Sequence, residues 1–234
     1  QDPKKALSLA LEFIKRFPND ELVPDIKFVA AESQLLTKQN SAAADTYTHL
    51  LESTRKDNIQ RPIWVLRAGS ALITAERFKD VTRILKSELT NLPEPGQQAE
   101  AHFLIGQAFR KAEDNKQAAT AFQASIASDP NWARAEEALL LSGQSRAALG
   151  DTGNAIKDWQ QVVKRGKNQA MIAQAKYQLA QVSNASQRYQ EAIELYDQVI
   201  SSESTPELIP YALYGKGNAL MQTQQFEAAI EPLT

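Results

Sequence analysis

The chain has 234 residues, 43% of them hydrophobic, and its 26 Lys and Arg nearly balance 28 Asp and Glu, for a formal net charge of −2. That balance removes the electrostatic case for nucleic acid or an anionic membrane surface as partner. The absence of cysteine excludes disulfides and cysteine-ligated metal sites, and no apolar run approaches the roughly 20 residues of a membrane helix.

Apolar residues recur at helical spacing between short polar breaks. The pattern predicts thirteen helices, near 3–16, 21–38, 41–54, 61–75, 78–90, 97–112, 115–128, 132–149, 152–165, 168–185, 189–201, 206–222 and 226–233. Phe17-Pro18-Asn19, Leu92-Pro93-Glu94-Pro95-Gly96 and Asp129-Pro130-Asn131 end helices, because proline lacks a donor and restricts the residue before it. Glu113-Asp114-Asn115, Leu149-Gly150-Asp151-Thr152-Gly153 and Thr223-Gln224-Gln225 are tight turns within helix pairs. Asp2 to Ala6 already sit in a helix, Glu231 to Thr234 stop inside another, and neither an initiator Met nor a signal peptide is present. The expectation is a fragment of a longer protein.

The pairs repeat. Ala6, Ala43, Val81, Ala118, Ala155, Ala192 and Ala229 follow one another at steps of 37 or 38 residues. Four positions on stand Ala10, Tyr47, Leu85, Phe122, Trp159, Tyr196 and Leu233, and four beyond that Ile14, Leu51, Leu89, Ile126, Val163 and Ile200. Spacing of i, i+4, i+8 lines one face of a helix, the second of each pair. Twelve residues before the alanine column come Ala31, Gly69, Gly106, Gly143, Ala180 and Gly217. Glycine inside a helix costs about 0.5–1 kcal/mol relative to Ala, so its recurrence marks close helix–helix contact on the first helix. Three residues further lies a column of mixed character: Gln34, Leu72, Phe109, Arg146, Ser183 and Leu220.

A period of this size marks stacked units that cannot bury their apolar faces alone. The chain resembles the tetratricopeptide repeat family. The best unit, Ala99 to Pro130, carries Ile105-Gly106, Phe109, Ala118, Phe122 and Pro130; the next carries Gly143, Leu149-Gly150-Asp151, Ala155 and Trp159. The resemblance implies an all-α, right-handed solenoid of antiparallel helix pairs, a single array over 1–234. Its parts are a half-unit 1–20, units near 21–57, 58–95, 96–131, 132–167 and 168–204, and a truncated unit 205–234. The family period is 34 residues, and the period here is 37. In the best unit the extra residues fall at Asn131-Trp132-Ala133, which predicts a first helix longer by about 4.5 Å. Long repeats ending in Phe-Pro, as at Phe17-Pro18, are similar to those of bacterial envelope proteins. That similarity implies a periplasmic or outer-membrane-associated setting, with the cytoplasm as alternative.

In this family the first helices line the concave face, where ligands lie. The residues following the small column, Glu32, Ser70, Gln107, Gln144, Gln181 and Asn218, then point into the groove. The last four are carboxamides, each both donor and acceptor, and suit an extended peptide backbone; glutamine, at 22 residues, is also abundant throughout. One turn earlier stand Phe28, Leu66, Phe103, Leu140, Tyr177 and Tyr214, joined by Tyr211 and Asn184. The candidate partner-binding residues are therefore Phe103, Gln107, Leu140, Gln144, Tyr177, Gln181, Asn184, Tyr211, Tyr214 and Asn218. Repeats that clamp chaperone C-terminal carboxylates carry Lys on the column held here by Phe28 to Tyr214, so that ligand is not expected. Arg110 and Lys111 project near the groove, more as a solvated helix end than as a site.

Chemistry is not expected. His49 and His102 have no second His at helical pair spacing, so neither a metal pair nor a nucleophile–base arrangement is available. Gly215-Lys216-Gly217 superficially suggests a phosphate loop, but its register makes it a packing feature. Asn184-Ala185-Ser186 matches a glycosylation acceptor at a helix end, and Trp159 belongs to the core column. No cofactor and no metal are anticipated. The reading is a protein-interaction scaffold for a peptide or helix of a partner. The alternatives are a self-associating structural module, or a docking region of a larger protein with an enzymatic part elsewhere.

Overall fold

The computed structural model describes residues 2–202 and 204–233, with side chains through Ile230. The helices among them are α1 (Pro3–Arg16), α2 (Val23–Leu36), α3 (Asn40–Ser53), α4 (Arg61–Thr74), α5 (Phe78–Glu88), α6 (Pro95–Lys111), α7 (Asn115–Ser128), α8 (Ala135–Ala148), α9 (Thr152–Arg165), α10 (Gln169–Ala185), α11 (Tyr189–Ile200), α12 (Ile209–Gln222) and α13 (Phe226–Leu233). Short 3₁₀ turns follow α5 and precede α12. No strand occurs among the described residues.

They form two compact units, divided after Trp132 at a junction between helix pairs. The first holds α1 and the pairs α2/α3, α4/α5 and α6/α7; the second holds α8/α9, α10/α11 and α12/α13. Each is an all-α stack in which a helix packs chiefly on its chain neighbours.

The periodic columns explain the packing. Ala43, Val81, Ala118, Ala155 and Ala192 are fully buried, and Tyr47, Leu85, Phe122, Trp159 and Tyr196 are at most 2% exposed. Each large side chain lies against the small residue of its own pair. A Cβ on Gly106 would stand 2.7 Å from the Phe122 ring, and one on Gly143 only 2.3 Å from Trp159 Nε1. Burying a large apolar side chain is worth about 1.5–3 kcal/mol, which exceeds the penalty of about 0.5–1 kcal/mol for a helical glycine.

Every turn within a pair uses one left-handed residue, again at the repeat period: Lys38, Glu76, Glu113, Gly150, Gln187 and Gln224 have φ between 58° and 77°. The αL residue lets two N–H groups return to orphan carbonyls of the first helix. Asp114 N donates to Phe109 O at 2.9 Å and Glu113 N to Arg110 O at 3.1 Å.

The mixed column also resolves. Gln34 accepts from Thr46 Oγ1 at 2.8 Å, and Arg146 pairs with Asp158 at 2.8 Å, while Leu72 is fully buried. Two positions facing each other across a pair have exchanged apolar for matched polar contacts. One further network is buried: the Arg61 guanidinium holds Glu88 at 2.9 and 3.0 Å and donates to the carbonyls of Leu51 and Thr54. Burial pushes the Glu88 carboxyl up, but hydrogen bonds from Arg61 and Asn91 outweigh it and hold the group below its usual range.

One expectation is corrected. Asn131, Trp132 and Ala133 do not lengthen the following helix; they remain in the connector, and α8 begins at Ala135. Asp129 Oδ1 accepts from Asn131 N at 2.9 Å, and the Trp132 ring packs edge-on to Phe103 with centroids 5.4 Å apart, so the segment is held outside a helix. Elsewhere the first helix does lengthen: α6 and α10 have 17 residues where α2, α4, α8 and α12 have 14.

Candidate functional site: a tyrosine and carboxamide cup

Six of the ten expected binding residues come together in the second unit. Tyr177, Gln181 and Asn184 from α10 and Tyr211, Tyr214 and Asn218 from α12 line one cavity of about 290 Å³. Ala185, Gly215 and the rim of Tyr196 complete its wall. The spacing accounts for the convergence. Positions 177, 181 and 184 share one helix face, as do 211, 214 and 218, at steps of three and four.

The chemistry of the wall is neutral, aromatic at its sides and polar at its tips. Tyr211 and Tyr214 are each 64% exposed. Tyr177 stacks at a tilt on Tyr196, with centroids 6.1 Å apart, and its hydroxyl accepts from Gln181 Nε2 at 3.0 Å. Burial, and secondarily the Tyr211 hydroxyl, push the Tyr177 phenol up. Burial and the neighbouring Tyr177 push Tyr196 up to about 12. The Tyr177 and Tyr196 phenols therefore stay protonated at neutral pH. Asn184 Oδ1 is buried in this wall without a hydrogen-bond partner. An unsatisfied buried acceptor costs about 1–3 kcal/mol.

Three wall residues, Ala185, Tyr196 and Gly215, are not among the expected binding residues. Tyr196 sits in a core column, and only the absence of a side chain at Gly215 lets its hydroxyl reach the cup. A Cβ on Gly215 would lie 2.4 Å from Tyr196 Cζ. Gly215-Lys216-Gly217 lies inside α12 and serves packing; Lys216 pairs with Asp197 at 2.6 Å.

The other expected residues lie elsewhere. Phe103 is fully buried between Phe122 and Trp132, and Leu140 is 4% exposed, so neither offers a surface to a ligand. Phe122, on the second helix of the same pair, and Trp132, in the following connector, cover Phe103. Gln107 is half-buried on α6 in the first unit, and half-buried Gln144 on α8 is not part of the cup. The corresponding positions nearer the N-terminus are engaged within the fold: Glu32 accepts from the Tyr47 hydroxyl and pairs with Arg67 at 2.9 Å, and Ser70 Oγ donates to Leu66 O. Arg110 and Lys111 form the last turn of α6, and His102 is half-buried, its imidazole pushed down by desolvation. No group of three or more His, Cys, Asp or Glu that could hold a metal occurs among the described residues, and no described helix is long and apolar enough to cross a membrane.

Comparison with known proteins bears on this architecture. The family model described as Tetratricopeptide repeat matches residues 82–133, 103–170, 140–209 and 185–233. The chain belongs to the tetratricopeptide repeat family. No curated protein sequence matches it. Among solved structures it is similar to YrrB, described as a tetratricopeptide repeat protein with an unusual peptide-binding site. That match has a TM-score of 0.63 at 18% identity over 87% of this chain and 96% of YrrB. MamA matches with a TM-score of 0.63 at 18% identity, over 74% of this chain and 88% of that one. The apo form of RapI matches with a TM-score of 0.75 at 9% identity, over 98% of this chain and 74% of RapI. At these identities the likeness speaks for the tetratricopeptide fold alone.

Proposed function

We propose that this chain is a protein-interaction scaffold that holds an extended segment of a partner protein in the cup between α10 and α12. The observation that carries the reading is the convergence of Tyr177, Gln181, Asn184, Tyr211, Tyr214 and Asn218 on one neutral cavity. Tyr supplies a large apolar area with a polar tip and is enriched at binding surfaces. Carboxamides supply donor and acceptor together, which matches the alternating N–H and C=O of a peptide main chain. The peptide-binding site in the description of YrrB, a structural neighbour, supports the same reading. The 37-residue period and the Phe17-Pro18 ending support placing the partner in a bacterial envelope assembly.

Affinity capture with the wild-type chain and with Tyr177→Ala, Gln181→Ala and Tyr214→Ala tests the proposal. The expected result is loss of a wild-type partner in the variants, with stability of the exposed-site variants changed by no more than about 0.5 kcal/mol. Partners retained undiminished by all three variants would overturn it.

A further inference from the structure

Resting on the groove reading above, we propose that the cup takes an arginine side chain of the partner. The guanidinium lies against the tyrosine faces and donates N–H groups to the carboxamide oxygens of the wall, Asn184 Oδ1 first among them.

The orphan acceptor is the starting point. Asn184 Oδ1 is buried in the wall with no hydrogen-bond partner. Its carboxamide turns about χ2, a soft sp³–sp² torsion, which swings the oxygen towards the cavity. Gln181 presents the same need: its Nε2 donates to the Tyr177 hydroxyl at 3.0 Å, which leaves Oε1 to accept. A guanidinium carries five N–H donors and no acceptor, so each polar atom it brings suits an oxygen. A carboxylate or phosphate brings acceptors alone and an aliphatic side chain brings neither, so both would leave the Asn184 oxygen unpaired.

The rings supply the attraction. Tyr177, Tyr196, Tyr211 and Tyr214 line the same cavity. An aromatic face is the negative end of the ring quadrupole and attracts a cation within about 6 Å of its centroid. Tyr177 and Tyr196 meet at 60° with centroids 6.1 Å apart, so they do not hide their faces in a parallel stack. Tyr211 and Tyr214 are each 64% exposed. No Lys or Arg lines the cup to repel an incoming cation, and the neighbouring Lys216 is paired with Asp197 at 2.6 Å.

No Asp or Glu lines the cup either, and this separates the two long basic side chains. A lysine ammonium is a compact, strongly hydrated charge, and here it would shed water with no carboxylate to replace it. The guanidinium is delocalised, more weakly hydrated and planar, and it stacks on aromatic faces.

The test titrates the full chain with capped alanine peptides, alike except for a central Arg, its uncharged isostere citrulline, Lys or Glu, followed by calorimetry and amide NMR. The Arg peptide is expected to bind wild type about tenfold more tightly than any of the others. It should lose about tenfold in Tyr214→Ala and in Asn184→Ala, and keep its affinity in Tyr214→Phe, which preserves the ring face. Citrulline or Lys matching Arg would overturn the arginine inference, and if every peptide were weakened alike by Tyr214→Ala the groove reading would still stand. Arg binding undiminished in both Tyr211→Ala and Tyr214→Ala would overturn it as well. So would no binding of any peptide, and partner capture, which presumes no arginine in the ligand, would then judge the groove reading separately.

Discussion

Gly143→Ala puts the packing rule of the repeat to its most direct test. The added Cβ would lie 2.3 Å from Trp159 Nε1, 2.7 Å from Cδ1 and 2.8 Å from Cε2. Non-bonded carbon contacts settle near 3.5–4.0 Å, so the indole must retreat by about 1 Å. It has little room: Trp159 is 1% exposed, and its Nε1–H donates to Leu140 O at 3.3 Å. Overpacking costs about 1–3 kcal/mol, and loss of the hydrogen bond adds about 1 kcal/mol. Replacing a helical glycine returns about 1 kcal/mol. The expected net loss is therefore about 1–3 kcal/mol. Gly153→Ala is the control. It too lies in a helix, but nothing stands within 4 Å of its Cβ position, so the same change should be neutral or stabilise by up to about 1 kcal/mol. Urea unfolding followed by far-ultraviolet circular dichroism reads both as midpoint shifts at constant slope. A compensating change sharpens the test. Gly143→Ala with Trp159→Tyr recreates the Ala180–Tyr196 pair of the next repeat, and should recover about 0.5–3 kcal/mol relative to the sum of the single changes. If Gly143→Ala raised the midpoint as Gly153→Ala does, the steric account of the glycine column would be wrong.

Three further outcomes are expected. Glu113→Gly relieves an L-residue at φ 60° and should stabilise by about 0.5–1 kcal/mol in the same urea assay, while Glu113→Ala should give no gain. Glu88 has its folded pKa held below its unfolded value, so the stability it contributes is present above the ordinary carboxylate range and is lost as pH falls through the folded pKa. Wild type should accordingly lose more stability on acidification than Glu88→Gln, and Arg61→Ala at neutral pH should cost about 3–5 kcal/mol by stranding a buried carboxylate. Asn184→Ala removes a buried unpaired acceptor and should raise stability by about 1 kcal/mol while weakening partner capture, a split that thermal unfolding and capture assays read side by side.

The helices and their pairing were legible in the sequence because the period carries them. Ala118, Phe122 and Gly106 each recur at one register, and a recurring small residue opposite a recurring large one admits only a close helix pair. The same periodicity placed Tyr177, Gln181 and Asn184 on one face and Tyr211, Tyr214 and Asn218 on another. Periodicity does not report which members of a column a neighbour covers. Phe103 and Leu140 share their column with Tyr177 and Tyr214, yet Phe103 is sealed by Phe122 and Trp132 while Tyr214 remains 64% exposed. Nor could it place Asn131-Trp132-Ala133, whose length fits one more helical turn but whose indole finds a better contact on Phe103 outside the helix. Gly215 breaks the column pattern, since the equivalent positions hold Gln178, Leu141 and Leu104. Its role in letting Tyr196 reach the cup arises from a contact between successive helix pairs. Local sequence sets helix, turn and facing side, because those depend on neighbours three and four residues away. Exposure, and with it the binding surface, depends on side chains of other helices, such as Phe122, and of connectors, such as Trp132, on Phe103, and only the packed structure brings those into contact.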